Sequence, residues 1–372
     1  MSTTSHIKPI SAPDVNVDEL LSDAAAKLFR NVSDFDAVQA AEAARWAPTV
    51  WKAVAEAGFA WIGVPESAGG SGGTIADACE VLRVAGAHAA PIPLAETGII
   101  GGWLLACAGL PLPDGPVTVA PGRPDDTLTV TVNADGSATL DGSLHRVPWA
   151  AKSDVLALFD EASGKVIAVP NSAYTTDLLT NMAGEPRETV TFAAASIPAD
   201  AVAEAGPQVT TDALRNRGAL SRVMLMAGAL EAMLNLTVDY CEVRQQFGKP
   251  IGRFQAVQQH LVWAAQDAAL TKMAAQIAAR QAARGDARFE IAAARSLANE
   301  CASTATRQCH QAHGAMGMTQ EYALHHLSRR LWSWRSEWAH PGEWSGKVGR
   351  FAESVGPQNL YPLITAGSAH LS

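Results

Sequence analysis

The feature that most constrains the fold is an apolar stripe in the second half of the chain. Leu220, Val223, Met224, Ala227, Leu230, Leu234, Val238 and Cys241 recur at intervals of three and four residues. That period places them on one face of a helix of about six turns, and so apolar a face must be covered by other elements. Its surroundings are helical too. One run extends from 254 to about 283 and halts at Arg284-Gly285-Asp286, and a second spans 288–311. After Gly314 and Gly317 a last run covers 322–338. Long helices with short joins pack antiparallel, so the spacing predicts a four-helix bundle within 208–372.

The middle of the chain has a different texture. Short β-rich runs at 117–120, 128–132, 138–142, 155–159, 166–169 and 189–192 are punctuated by turn sequences at 133–136 and 162–165. These six runs predict a small antiparallel sheet domain, sandwich or barrel, over 113–207. Upstream, 16–112 is alanine-rich and helical; the segment 51–58 reads as a helix closed by Gly58. The cluster Gly69-Gly70-Ser71-Gly72-Gly73 lacks the lysine that follows a phosphate-binding loop, so it reads as a turn. Residues 1–15, polar with two prolines, are expected to be a flexible N-terminus. The fold class is α+β, mainly α, in the order helices, sheet, helices.

Bulk numbers exclude several functions. A chain of 372 residues is too long for one ordinary core. Its 28 Lys+Arg against 37 Asp+Glu give a net charge of -9, so no basic field draws nucleic acid to it. The most apolar run, 223–238, is interrupted by Glu231 and Asn235, and no membrane span is expected. Five cysteines, with no CxxC pair, favour reduced thiols, and the N-terminus lacks an apolar core of signal-peptide type; the expected location is cytoplasmic.

Chemistry concentrates in the stretch RQQFGKPIGRFQ at 244–255. Arg244 offers a planar fork of donors suited to phosphate, and Phe247 a flat apolar face for an aromatic ring. Phosphate plus ring describes a nucleotide cofactor. On spacing alone, a helix end, a Gly-Pro turn and a new helix start explain the stretch as well.

With this stretch at the first bundle corner, Val64-Pro65-Glu66 and its following glycines in the first domain, and Gln311-Ala312-His313-Gly314-Ala315-Met316-Gly317 with Thr319-Gln320-Glu321-Tyr322 in the last, the chain resembles the acyl-CoA dehydrogenases over nearly its whole length. The resemblance implies a FAD flavoprotein that takes the α hydrogen of an acyl-CoA as a proton, onto a carboxylate, and the β hydrogen as hydride, onto the flavin. An electron-acceptor flavoprotein would then reoxidise it. By the same resemblance Arg244 pairs with the FAD pyrophosphate, Gln246 and Phe247 contact the adenine-side half, and Gln255, Gln311, Gly314 and Ala315 complete that contact. In the family these elements reach a flavin held mainly by a neighbouring subunit.

Two departures from the family pattern stand out. The Thr-Glu-Pro-x-Ala-Gly-Ser segment that holds the flavin ring is missing; 117–126 reads VTVAPGRPDD. Trp149 falls where the family places a tryptophan beside the flavin, or it is a core residue of the sheet domain. The position of the catalytic base falls on Trp338, with Glu337 one place before it, and the alternative base position falls on or near Gly218. Glu337 is therefore either the base or half of a surface ion pair. Glu343 reads as part of a solvated loop, and Arg329 and Arg330 as a solvated helix face or a contact for CoA or a partner.

Both losses fall in the half-site that a subunit builds for its own flavin. The chain thus resembles the less catalytic subunit of a heteromeric (α2β2) acyl-CoA dehydrogenase of the kind used in bacterial breakdown of steroid and other bulky acyl-CoAs, its base supplied by a paralogous partner. A self-sufficient homo-oligomer using Glu337, and a non-catalytic scaffold subunit, are the alternatives.

Overall fold

The computed structural model describes residues 16–367, and the terminus at 1–15 lies outside them. Three helices open the chain: α1 (Asn16–Val32), α2 (Phe35–Ala44) and α3 (Pro48–Glu56). Their boundaries are written locally. Asp34 caps α2 by accepting from the Ala37 N–H at 2.9 Å, and Pro48, with φ already fixed, opens α3. Gly58 follows α3 with φ 73°, the left-handed turn its position calls for. The glycine cluster is a turn, and Gly70 is needed there because a Cβ would lie 2.2 Å from the Val64 carbonyl oxygen. Thr74 and Asp77 then form a reciprocal capping box that starts α4 (Ile75–Ala87). A π-helical stretch, Glu96–Gly102, runs into the short α5 (Trp103–Cys107) and holds Glu96 in the interior.

Eight strands follow: β1 (Val117–Val119), β2 (Thr129–Val132), β3 (Ala138–Pro148), β4 (Val155–Asp160), β5 (Lys165–Pro170), β6 (Thr175–Asp177), β7 (Arg187–Ile197) and β8 (Val202–Glu204). They make two four-stranded sheets, β1-β4-β5-β8 and β2-β3-β7-β6, packed over a shared core that includes Leu140, Leu144, Leu156, Ile167 and Phe192. The six expected runs miss β6 and β8, three-residue edge strands like β1 but ending in Asp177 and Glu204 and without its buried β-branched run. The sheets are also not wholly antiparallel, because β1 lies parallel to β4. Between Leu144 and Val147 the β3–β7 register slips, and Arg146 at this bulge takes φ 61°.

The helical remainder is built on α6 (Thr211–Val243), 33 residues long and packed by α4, α7, α8 and α9. It is longer than the apolar stripe suggested because its first turns bury polar side chains, Asn216, Ser221 and Arg222, that interrupt the pattern. By length and composition alone α6 could cross a membrane, yet 67% of its most apolar window is buried inside the molecule. A tight hairpin of β9 (Gln245–Gln246) and β10 (Lys249–Pro250) leads through Gln255 into α7 (Gln255–Arg284), then α8 (Arg288–His313) and α9 (Leu324–Trp334). The last expected helix stops at Trp334, short of 338. Glu343 lies in no loop. It is the third residue of α10 (Pro341–Val355), where its carboxylate accepts from the His340 N–H at 3.1 Å, and α11 (Pro357–Ala366) follows. Proline at the first helical position and glutamate at the third are a start signal that the sequence reading passed over.

Candidate functional site

Glu337, in the turn after α9, is held between two domains. Arg187 from β7 donates Nε to one carboxylate oxygen at 2.8 Å, and Arg222 from α6 donates Nε to the other at 2.6 Å. The pairing continues in both directions. Arg222 also binds Glu96 of the π-helical stretch, Arg187 binds Glu185 at 3.1 Å, and Glu185 lies 3.1 Å from Arg330 of α9. Arg330 in turn reaches Glu42 of α2 at 3.1 Å, and Arg329 reaches the same carboxylate at 2.6 Å. Seven alternating charges thus run from Glu96 to Glu42 through all three domains. Glu337 is no surface ion pair, and Arg330, fully buried, is on no solvated face.

The electrostatic consequence is direct. Burial pushes the Glu337 carboxyl upward, but Arg187 and Arg222 together outweigh it and hold it down at about 2. Glu42 is brought to about 2 in the same way, with burial opposed by His326, Arg329 and Arg330. A carboxylate so stabilised is a weak proton acceptor near neutral pH.

Trp338 and Gly218 are neighbours in space. A Cβ built on Gly218 would lie 2.0 Å from Cδ2 of the Trp338 ring, so the indole rests on bare helix backbone. Both positions that the resemblance assigns to a base are therefore filled by one hydrocarbon contact, with Trp338 only 3% exposed. Arg295 fixes the turn by donating to the carbonyls of Trp334 at 2.5 Å and Glu337 at 2.8 Å. Its burial without a carboxylate partner lowers its pKa to about 9.

Beside this contact lies a cavity of about 690 Å³ between the sheet domain and the bundle. The loop 121–124, the end of β3, Arg215 and Arg222 of α6, and Trp332 of α9 contribute to its walls. The loop offers a flavin ring little. Pro121 and Pro124 have no N–H, and the Arg123 N–H is already taken up by Asp126 at 2.7 Å. Trp149 is buried away from the lining, its face covered by the Arg187 guanidinium 4.8 Å from the ring centroid.

The remaining candidates meet elsewhere, at the end of the bundle where α6 stops, α7 starts and α8 stops. Tyr240 of α6 stacks on His313 of α8 at 4.5 Å, and the Tyr322 hydroxyl donates to the Leu236 carbonyl at 3.3 Å. Arg244, Gln246, Phe247, Gln255, Gln311, Gly314 and Ala315 all lie exposed at this end. Phe247 is 92% exposed at the tip of the hairpin, where it and Gly248 have φ 52° and 77°. Positive φ at both central residues is what a two-residue hairpin turn demands, and phenylalanine is a costly choice there. The Arg244 side chain has no ion pair or hydrogen bond among the described residues. An unpaired guanidinium next to an exposed ring fits the pyrophosphate and adenine-side half of a dinucleotide.

Sequence reasoning missed Arg187, Arg222, Glu96, Glu185 and Arg295. One signal was available: Arg222 interrupts an otherwise apolar helix core, and a charge at such a position needs a partner from another element.

Three domains in this order, with a cleft between sheet and bundle, define the class as an acyl-CoA dehydrogenase-like flavoprotein fold. Models of the acyl-CoA dehydrogenase N-terminal domain and of the acyl-CoA dehydrogenase C-terminal domain match residues 17–109 and 205–334. The chain belongs to the acyl-CoA dehydrogenase family, whose members are FAD flavoproteins. It is 28% identical over 315 residues to the acyl-CoA dehydrogenase IpdE2 of Mycobacterium tuberculosis, across 84% of this chain and 90% of that protein. Among solved structures, the ChsE4-ChsE5 complex from Mycobacterium tuberculosis shares the fold with a TM-score of 0.82 at 20% identity, over 91% of this chain and 97% of that one. The Tcur3481-Tcur3483 steroid ACAD gives 0.80 at 21% identity, over 91% and 98%.

Proposed function

We propose that this chain is one subunit of a heteromeric FAD-dependent acyl-CoA dehydrogenase, lending Arg244, Gln246, Phe247, Gln255 and the 311–315 turn to a flavin enclosed by a paralogous subunit that carries the base. The observation that carries this reading is the split between its two half-sites: the base positions are filled by Trp338 on Gly218, while Arg244 stands unpaired on the surface and Phe247, in edge contact with Phe254 only, is 92% exposed. FAD, when bound, supplies the hydride acceptor that no side chain can. This chain's residues anchor the cofactor's phosphates and pack its adenine side. Glu337 serves as a structural charge.

Assembly has a candidate surface in α7, where Trp263, Leu270, Met273 and Ile277 are exposed apolar side chains. Two of the similar structures are named as pairs of different chains, and one of those is a steroid enzyme, which favours a bulky acyl-CoA as substrate. The reduced state of Cys79, Cys107, Cys241, Cys301 and Cys309 suits a cytoplasmic location, and an electron-transferring flavoprotein would accept the electrons.

Expression tests the reading. The chain alone is expected to be colourless and inactive, and to give a yellow, active complex when co-expressed with a paralogous subunit. A yellow, active homo-oligomer would overturn the proposal in favour of a self-sufficient enzyme. A mixed complex whose flavin content ignores Arg244→Ala would reduce the chain to a scaffold.

A further inference from the structure

The segment between β6 and β7 holds apolar side chains in water on a rigid frame. Residues 178–184, LLTNMAG, carry no charge, and Leu178, Leu179 and Met182 are exposed, the last by 63%. Hydrogen bonds fix its course. The Arg187 N–H donates to the Leu179 carbonyl at 2.8 Å, the Asn181 N–H to the Glu185 carbonyl at 2.9 Å, and the Gly184 N–H to the Asn181 carbonyl at 3.0 Å. The Asn181 side chain accepts from the N–H groups of Ala183 and Glu185 at 2.9 and 3.1 Å. Arg329 of α9 reaches the Met182 carbonyl at 3.5 Å, which sets the tip beside Trp332, itself exposed. An ordered tip that keeps leucine and methionine outward, next to an exposed indole, marks a contact site.

The rim of this patch is cationic. The Arg335 guanidinium lies over the Trp332 ring at 4.7 Å, and Arg215 of α6 and Arg146 of β3 are exposed in the wall that Met182 and Trp332 share. None of the three has an ion pair among the described residues. Two exposed acids stand against them, Glu343 in that wall and Asp177 at the end of β6, so the rim stays positive. The chain as a whole is at -9, but at physiological ionic strength charges are screened beyond about 8 Å, and only those at the rim act on a docked surface.

We propose that the 178–184 tip, with Trp332 and Arg335, docks this chain peripherally on an anionic lipid bilayer. Leucine and methionine enter the hydrocarbon boundary, the indole lies at headgroup level, and Arg335, Arg215 and Arg146 meet lipid phosphates. Two features favour a bilayer over a protein partner. Backbone groups that enter lipid must be paired within the chain, and the N–H groups of Asn181, Ala183, Gly184, Glu185 and Arg187 already are. A tryptophan stacked with arginine also suits the headgroup layer, where the ring is half wetted and the guanidinium reaches phosphate. The proposal does not depend on the flavin reading, because none of these residues belongs to the corner at 244–255.

The test sediments the full-length chain with vesicles of phosphatidylcholine alone, or of phosphatidylcholine and phosphatidylglycerol in equal parts, at low and high salt. Binding to the mixed vesicles is expected, and it should fall at high salt as surface charge is screened. Leu179→Asp and Met182→Asp should each weaken it about tenfold or more, since a carboxylate resists leaving water. Arg335→Gln and Arg215→Gln should each weaken it about fivefold, the effect of one cation near an anionic leaflet. All four side chains are at least partly exposed, so melting should match the parent, and Tyr361→Asp, exposed on α11, should bind vesicles as the parent does. Failure to bind, equal binding to neutral vesicles, binding that ignores both loop aspartates, or an equal loss in Tyr361→Asp would each overturn the proposal. Vesicle binding by the chain alone that disappears on co-expression with a paralogous subunit would give the patch to a protein interface and overturn it too.

Discussion

The two ends of the bundle treat arginine in opposite ways. Beside the cavity, Arg187, Arg222 and Arg330 are buried and each is matched to one or two carboxylates. At the hairpin corner, Arg244 is exposed and unmatched, next to a phenylalanine held in water. A guanidinium whose partners are all internal contributes to cohesion between domains. One left without a partner on an ordered turn is available to something outside the chain. The contrast separates arginines that hold the interior together from one left exposed at its surface.

The sharpest way to break that contrast is Glu337→Gln. It takes one of two carboxylate partners from both Arg187 and Arg222 and should cost on the order of 3 kcal/mol in denaturant unfolding. Flavin content and turnover per folded mixed complex should not change. If stability holds and turnover collapses, the cavity is a working active site. Acid makes the same point without mutation. Glu337 and Glu42 are both lowered from 4.5 to about 2, so the stability they give is full above about 4.5 and lost as pH falls toward 2. Each carboxyl is worth on the order of 3 kcal/mol by linkage, and in Glu337→Gln part of the acid transition, followed by circular dichroism, should vanish.

At the other end, Arg244→Ala should weaken FAD retention by the mixed complex about 10–100-fold while leaving the melting of the chain alone within about 0.5 kcal/mol. Gly218→Ala should destabilise by about 1–3 kcal/mol through overpacking against Trp338. Adding Trp338→Leu should recover part of that loss, and a double-mutant cycle with no coupling would refute the contact. The smallest effect is at Phe247. Glycine there relieves φ 52° and should stabilise the chain by up to about 1 kcal/mol while loosening the flavin, a trade expected only if the ring is kept for binding.

Local signals carried much of this in the sequence. The 3.6-residue period of α6, the turn residues between strands and the glycine after α3 each have a nearby physical cause, and each appears where that cause predicts. The helix end, turn and new helix start over 244–255 were also legible, because that stretch is contiguous. The charge chain was not. Arg187 and Arg222 reach Glu337 across 150 and 115 residues, and nothing in the local composition of any of them names the others. Arg329 and Arg330 read as a polar helix face because basic pairs usually are one. Their acceptor, Glu42, lies 287 and 288 positions away. Edge strands β6 and β8 are as short as β1 but lie at the surface and end in an acidic residue, so no apolar run marks them.

The alternating charges from Glu96 to Glu42 also bear on where this lineage can go. Freeing the glutamate beside Trp338 for proton abstraction would leave Arg222 to Glu96 alone and Arg187 to Glu185 alone, and removing Arg222 first would strand Glu96, so each such step weakens the cohesion between domains. The interior of the protein thereby holds that glutamate to a structural task, whatever the chain assembles with.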